Sequence, residues 1–151
     1  MEDAAGRQTI IALFRRTAQA MVSDLVQRIR SSGIGDMTEG LHPLFESIDA
    51  EGTRLTVLAA RAEMTHQSMS ELVQTALGKD LVERRPDPSD GRAKLVCLTP
   101  RGRRMVIRAY REMAKIEREW SEHWGAAGFT GDMRAVLFSA LRAYRGTPGS
   151  P

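Results

Sequence analysis

The chain has 151 residues, 42% of them hydrophobic and 27% charged, which favours one globular domain, or one domain with an added element, and excludes wholesale disorder. No apolar run approaches the roughly 20 residues of a membrane span, and the acidic N-terminus lacks a secretory-signal pattern. A single cysteine excludes an intrachain disulfide framework. We therefore expect a cytoplasmic protein without membrane contact. The net charge is +3, but Arg84 to Arg111 contains nine Lys or Arg against two Asp, which indicates either a surface facing a polyanion or a solvated Arg-rich face.

Two helices are predicted first. Residues 7–30 carry apolar side chains at intervals of three and four, which is the stripe of an amphipathic helix: Ile10, Phe14, Ala18, Met21, Leu25 and Ile29. A shorter helix is predicted over residues 38–49, with Thr38 as its N-cap and Pro43 near its first turn.

Two compact helices follow, over residues 54–62 and 66–79. The connection between them is about three residues long, the length of a helix-turn-helix joint. Thr65 is placed to cap the second helix, and Asp80 at its end can adopt a left-handed conformation. This pair is therefore predicted to be a helix-turn-helix.

A β-hairpin is predicted next, with strands over residues 81–85 and 93–98. The seven residues 86–92 between them are rich in Pro, Asp, Ser and Gly, so we expect them to form a long, protruding tip. Thr99 and Pro100 then begin a helix over residues 100–124, and a last amphipathic helix is predicted over residues 133–144. The tail after residue 145 is expected to be disordered.

This order of elements describes a winged helix-turn-helix, and its chemistry suits duplex DNA. The polar face of the 66–79 helix offers short or amide-bearing side chains that can hydrogen-bond bases or phosphates in the major groove. Arg92 at the hairpin tip can enter a narrow minor groove, whose negative potential attracts a guanidinium group. Arg84, Arg85 and Lys94 on the hairpin flanks are expected to contact phosphates without reading sequence.

Residues 80–102 carry a resemblance to a known family. Leu81 to Arg85 follow the recognition helix, Asp90 and Arg92 form an Asp-x-Arg pair in the hairpin, and a Leu-Thr-x-x-Gly motif runs from Leu98 to Gly102. At these spacings the sequence resembles the MarR family of bacterial transcriptional regulators. The flanking helices match the order of the family, so the resemblance covers nearly all of residues 7–145.

The resemblance implies a mainly α fold with a small β-hairpin wing, in which residues 38–98 form a winged helix-turn-helix lobe and residues 7–30 and 100–145 supply a helical dimerisation lobe of a single domain. It also implies a homodimer that binds a pseudo-palindromic operator, usually as a repressor released by a small phenolic, aromatic or anionic ligand in the cleft between lobes. Arg92 would be the minor-groove arginine, with Asp90 orienting it or a neighbouring arginine. The expected DNA-binding residues are His66, Gln67, Ser68, Ser70, Gln74, Arg84, Arg85, Asp90, Arg92 and Lys94.

Two positions depart from the family pattern. Asp80 stands where glycine is usual, and Glu71 stands where an arginine often contacts DNA. A carboxylate near phosphate is unfavourable unless an arginine such as Arg61 neutralises it, although it could accept a hydrogen bond from a cytosine amino group. Glu71 therefore leaves open a second hypothesis, a protein-interaction module that kept the fold but lost DNA binding.

We expect no metal, redox or catalytic role for the remaining chemically reactive or aromatic residues. Glu119 and His123 stand one helical turn apart, but two residues do not define a metal site, and no metal or cofactor is expected. Cys97 on a strand favours an apolar filler over a redox sensor, and Trp120 and Trp124 favour packing over ligand contact. No nucleophile, base and orienting residue can be proposed together, so we do not expect an enzyme.

Overall fold

A computed structural model of the chain describes residues 9–34 and 36–145. These residues form α1 (Ile10–Ser31), a 3-10 turn (Glu39–Leu41), α2 (His42–Ser47), β1 (Thr53–Arg54), α3 (Leu55–Arg61), α4 (His66–Gly78), β2 (Val82–Asp87), β3 (Asp90–Leu98), α5 (Pro100–Ala126) and α6 (Met133–Arg145). The strands make one antiparallel sheet in the order β1-β3-β2. The predicted fold class, mainly α with a small β-hairpin wing, is confirmed.

The first two helices differ from the prediction in detail. α1 begins at Ile10, where Thr9 accepts a hydrogen bond from the backbone N–H of Ala12, and predicted residues 7 and 8 lie outside the described ranges. The helix predicted over residues 38–49 is instead a 3-10 turn followed by α2, and the side chain of Thr38 makes no capping hydrogen bond. The chain tightens before Pro43 because proline lacks an N–H and is tolerated only in the first helical turn.

The helix-turn-helix prediction is confirmed by α3 and α4. The joint turns at Glu63, which has φ 52°, and the backbone N–H of Met64 donates to the carbonyl of Ala59 at 2.9 Å. Thr65 caps α4 as predicted, because its Oγ1 accepts from the N–H of Ser68 at 3.1 Å. Asp80 is left-handed with φ 55°, so aspartate occupies the conformation that glycine usually supplies there.

The hairpin is longer and its turn is shorter than predicted. β2 continues to Asp87 and β3 starts at Asp90, so the turn contains only Pro88 and Ser89 instead of the expected seven residues. β2 is an edge strand, so Pro86 can lie within it without breaking a ladder hydrogen bond to a further strand. The short strand β1, which the sequence did not predict, pairs Thr53 with Val96 and Arg54 with Leu95.

A junction of backbone contacts fixes the hairpin to the start of α5. The N–H of Thr99 donates to the carbonyl of Leu81 at 3.1 Å, and the Thr99 hydroxyl donates to the carbonyl of Asp80 at 2.7 Å. The same hydroxyl oxygen accepts from the N–H of Gly102 at 3.0 Å and so caps α5. A Cβ on Gly102 would lie 1.9 Å from the carbonyl oxygen of Leu81, so only glycine fits. This contact is the physical reason for the Leu-Thr-x-x-Gly motif.

The described residues divide into two compact units, one ending at Met113 and one beginning at Ala114, with the boundary inside α5. The core of the first unit is aliphatic and includes Leu44, Leu58, Met69, Leu81 and Met105, each fully buried. In the second unit Arg134 of α6 donates to both carboxylate oxygens of Glu117 on α5, at 2.5 and 2.7 Å. Within the described ranges, no helix combines the length and apolarity that crossing a bilayer demands.

The start of α1 and most of α6 expose large apolar side chains. The second half of α1 buries Leu25, Val26 and Ile29, whereas Ile10, Ile11 and Phe14 in its first turns are 70%, 80% and 52% exposed. α6 exposes large apolar residues along most of its length: Val136, Leu137, Phe138, Leu141 and Tyr144. Exposed apolar surface of this extent is typical of residues that another surface covers.

Candidate nucleic-acid interface

α4 has one buried and one polar face. Met69, Val73 and Ala76 are fully buried, which anchors the helix on the first unit. The polar face is the group of residues that points away from that core: His66, Gln67 and Gln74 are exposed, Ser68 and Ser70 are half-buried, and Glu71 is exposed. All five α4 residues predicted to bind DNA therefore lie together on one helix, beside Glu71.

Few internal hydrogen bonds hold the polar face of α4. The hydroxyl of Thr65 donates to Oγ of Ser68 at 2.9 Å, which ties that serine to the helix cap. Nε2 of Gln67 donates to Oε1 of Glu71 at 3.2 Å, one helical turn away. These side chains present both donors and acceptors, the combination that base edges in a major groove require.

Arg61 does not neutralise Glu71. Its Nη1 donates to the carbonyl of Ser47 at 2.8 Å and to Oδ2 of Asp49 at 2.9 Å, which joins α3 to the end of α2. The neutralising role considered for Arg61 is therefore wrong, because its guanidinium is engaged with a different carboxylate. Among the described residues, the side chain that hydrogen-bonds the Glu71 carboxylate is the neutral Gln67 amide.

The basic residues of the hairpin, which we call the wing (residues 82–98), are divided between its two faces. In the antiparallel register Arg84 opposes Val96 and Pro86 opposes Lys94, so Arg84 and Lys94 share a face. Arg85 opposes Leu95, lies on the other face and forms an ion pair with Glu83. All three predicted phosphate contacts are exposed, but the structure brings only Arg84 and Lys94 to one side.

Arg92 is exposed near the tip of the wing, and its backbone is held by Asp90. Oδ1 of Asp90 accepts from the N–H of Arg92 at 3.1 Å. Asp90 therefore orients Arg92 through the main chain and not through its guanidinium. The neighbouring arginine closest to its carboxylate is Arg54, whose Nη2 lies 3.9 Å from Oδ2.

A second carboxylate, Asp87, organises the tip and was missed from the sequence. It is 6% exposed, although it stands beside the turn. Its Oδ1 accepts from the N–H of Ser89 at 2.8 Å and from the Ser89 hydroxyl at 2.7 Å, and its Oδ2 accepts from Nε of Arg54 at 2.6 Å. The hydrogen bonds from Ser89, followed by that from Arg54, lower the pKa of Asp87 to about 2. The spacing of Asp87 and Ser89 could have indicated the turn, but Arg54 is 33 positions away.

The cysteine, tryptophan and histidine side chains considered above lie in surroundings typical of packing. Cys97 is buried, and burial raises the pKa of its thiol, which is the environment of an unreactive filler. Trp120 and Trp124 contact each other with ring centroids 6.0 Å apart, and Trp120 contacts His123 edge-on. Across residues 9–34 and 36–145, three or more His, Cys, Asp or Glu side chains never gather into a possible metal site.

This geometry defines a class of protein. α4 has one buried and one polar face, follows α3 after a short turn, and precedes a basic antiparallel hairpin. This arrangement is a winged helix-turn-helix. Residues 44–93, from α2 into the wing, match the model of the MarR family. The resemblance to that family inferred from the wing motif is therefore confirmed.

Solved structures share this fold over nearly the whole chain. CouR from Rhodococcus jostii RHA1 bound to p-coumaroyl-CoA has a TM-score of 0.71 and 20% identity, covering 97% of both chains. The S. aureus MepR–DNA complex has a TM-score of 0.66 and 21% identity, covering 91% of this chain and 99% of the other. PcaV from Streptomyces coelicolor, in complex with its natural ligand, has a TM-score of 0.62 and 23% identity, covering 95% and 94%. The search of curated proteins produced no match.

Proposed function

We propose that this protein is a homodimeric, sequence-specific DNA-binding transcriptional regulator that acts in the cytoplasm. The observation that carries the proposal is the exposed surface made by the polar face of α4 and the basic wing, with Arg92 at the exposed tip. In a winged helix-turn-helix, such a helix reads base edges in the major groove while basic side chains contact phosphates. The MepR–DNA complex, which has the same fold, supports this assignment.

The exposed apolar residues of α1 and α6 support the proposed dimer. A second copy of this chain would cover Phe14, Phe138 and their apolar neighbours, which are too exposed for an isolated soluble chain. A two-fold dimer matches a pseudo-palindromic operator, because each protomer reads one half-site. Sedimentation velocity tests this step: we expect Phe138→Glu to shift the protein towards monomer, whereas Ser139→Glu adds the same charge to the same exposed helix and should shift it less.

Regulation is proposed to be repression released by a small aromatic or anionic ligand. Two proteins of the same fold support this assignment, since CouR is described with p-coumaroyl-CoA and PcaV with its natural ligand. A ligand that binds the DNA-incompetent form better than the DNA-bound form must lower DNA affinity by the ratio of its two affinities.

DNA binding is tested by fluorescence anisotropy with the duplex upstream of the protein's own gene. The control duplex has the same length and base composition in scrambled order. We expect the upstream duplex to bind at least about 10³-fold more tightly at physiological salt, and its affinity to fall steeply as salt is raised. Equal affinity for both duplexes would overturn the assignment of sequence-specific binding.

A second candidate function, a protein-interaction module with impaired DNA binding, is favoured by the surroundings of Glu71. Its carboxylate is exposed on α4, and Arg61 is engaged with Asp49. This candidate predicts that the wild-type chain shows no salt-sensitive binding and that Glu71→Gln, which removes the charge at nearly constant size, restores it. Salt-sensitive DNA binding by the wild-type chain, with the same salt dependence in Glu71→Gln, would reject the candidate.

A further inference from the structure

Among the residues that the structure describes, no third strand supports the outer part of the wing. β1 pairs only with Val96 and Leu95 of β3, so beyond the Arg85–Leu95 pair the wing is a two-stranded hairpin. A two-stranded hairpin is marginally ordered in water unless other contacts hold it. Arg92 lies in this outer part, three residues beyond the last residue that β1 supports.

Arg54 is the residue that extends the support of β1 towards the tip. Its Nε and Nη2 both lie 2.6 Å from Oδ2 of Asp87, and Nη2 lies 3.4 Å from the hydroxyl oxygen of Ser89. Nη2 also approaches the carboxylate of Asp90 to 3.9 Å. One guanidinium on β1 therefore contacts both strands of the outer hairpin and the turn between them.

Hydrogen bonds through the turn connect Arg54 to the backbone of Arg92. Arg54 holds Asp87, Asp87 accepts the N–H and hydroxyl of Ser89, and Asp90 accepts the N–H of Arg92. Asp87 is almost completely buried, so loss of Arg54 would leave a buried charge with fewer donors. The turn and the strand that follows it would then lose the contact that fixes their position.

We propose that Arg54 is a positioning residue for DNA binding, which holds the wing turn through Asp87 and so determines where Arg92 is presented to the duplex. This inference rests on the proposed function. Arg54 acts through Arg92, and its own side chain is directed into the wing, with 41% of it exposed.

The first test measures the wing without DNA. Amide hydrogen exchange is followed at Ser89 and Arg92 in the wild-type protein, in Arg54→Ala and in Arg85→Ala. Arg85→Ala is the matched control, because it removes an exposed arginine from the wing itself. Arg85 pairs with Glu83 and not with Asp87. We expect Arg54→Ala to raise exchange at both amides by about tenfold, while Arg85→Ala changes neither by more than a small fraction of that. Unchanged exchange in Arg54→Ala would overturn the proposal.

The second test is a double-mutant cycle of Arg54→Ala and Arg92→Ala, measured as affinity for the upstream duplex. If Arg54 positions Arg92, Arg54→Ala weakens binding by about tenfold in the wild-type background and has almost no effect once Arg92 is alanine. If Arg54 instead contacts a phosphate, the two effects multiply and the salt slope falls by about one. The second result would overturn the positioning role.

Two further variants protect the tests from a folding defect. Arg54→Lys keeps the charge but not the forked donors, and Asp87→Asn keeps the size of the carboxylate but not its charge. Both should reproduce the exchange increase in part while the far-ultraviolet circular dichroism stays native. If the wild-type protein binds no DNA but Arg54→Ala still raises amide exchange in the wing, the proposed function alone is rejected. If the wild-type protein binds DNA and Arg54→Ala leaves exchange in the wing unchanged, the role of Arg54 is rejected.

Discussion

The backbones of α4 and of the wing tip are fixed by different kinds of contact. At the tip, a buried carboxylate with three hydrogen-bond donors fixes the backbone of the turn. On α4, the backbone is already fixed by the helix and its buried face, and the side chains of the polar face are mostly exposed. A hairpin needs side chains to order its main chain, whereas a helix leaves its side chains free to adapt to a partner.

Because of this difference, we expect substitutions in the two regions to have different effects. We expect changes around Asp87 to alter the position of the wing before any partner is present, and changes on the polar face of α4 to alter only the recognition proposed for it. The two regions meet at the junction of Leu81, Thr99 and Gly102, which joins the end of α4, the wing and α5.

The largest effect is expected at that junction. Gly102→Ala places a Cβ 1.9 Å from the carbonyl oxygen of Leu81, which is backbone and cannot turn away. We expect the free energy of unfolding, measured by urea titration, to fall by about 1–3 kcal/mol or more. Gly78→Ala at the end of α4 is the control, since a Cβ there meets nothing within 4 Å, and equal losses in both variants would contradict this account.

The next largest effect concerns the wing alone. Arg92→Ala should weaken binding to the upstream duplex by about 10-fold or more while the protein stays folded, because the minor-groove contact proposed for its guanidinium is lost. A mobility-shift assay measures this change. Arg111→Ala removes the same charge from an exposed position on α5 and should have a much smaller effect. Matching losses would show that only total charge matters.

A further pair of variants separates the reading of base sequence from contact with phosphates. Gln74→Ala should relax base preference by about 1–3 kcal/mol at one base pair with little change in the salt slope. Arg85→Ala should lower affinity on all sequences and reduce the slope of log affinity against log salt by about one. Selection from a random duplex pool, repeated at two salt concentrations, distinguishes them. Equal losses on all sequences for both variants would contradict the division between α4 and the wing.

The smallest effect is a dependence on pH confined to the wing. The folded pKa of Asp87 is about 2, below its ordinary value of 3.8, so its stabilising contribution is complete above about pH 4 and is lost as the pH falls towards 2. The amide signal of Ser89, followed by NMR, should shift in this window, and Asp87→Asn should abolish the shift. A midpoint at pH 4 or above would mean that the carboxylate is not held by its donors.

The elements predicted correctly are those with local causes. The cap at Thr65, the left-handed Asp80 and the start of α5 at Thr99 and Pro100 each depend on residues a few positions apart. The winged helix-turn-helix order followed from them. The candidate residues on α4 could be identified for the same reason, because helical periodicity assigns a face to every residue.

The elements that were missed depend on distant partners. β1 is two residues long, too short for a pattern, and exists because β3 pairs with it. Pro86 suggested a turn, but on an edge strand its missing N–H costs nothing, so the strand continues. The contact between Arg54 and Asp87 joins residues 33 positions apart, and no spacing rule connects them.

Gly52 and Cys97 give the base of the sheet an internal reporter. Gly52 has φ 97°, and a Cβ on it would lie only 2.5 Å from Sγ of Cys97, so the thiol fills the space beside the turn before β1. Cys97 is buried, so an alkylating reagent reaches its thiol only when the structure around it opens. Because the chain has a single cysteine, its rate of modification reports openings at the base of the sheet without an introduced label.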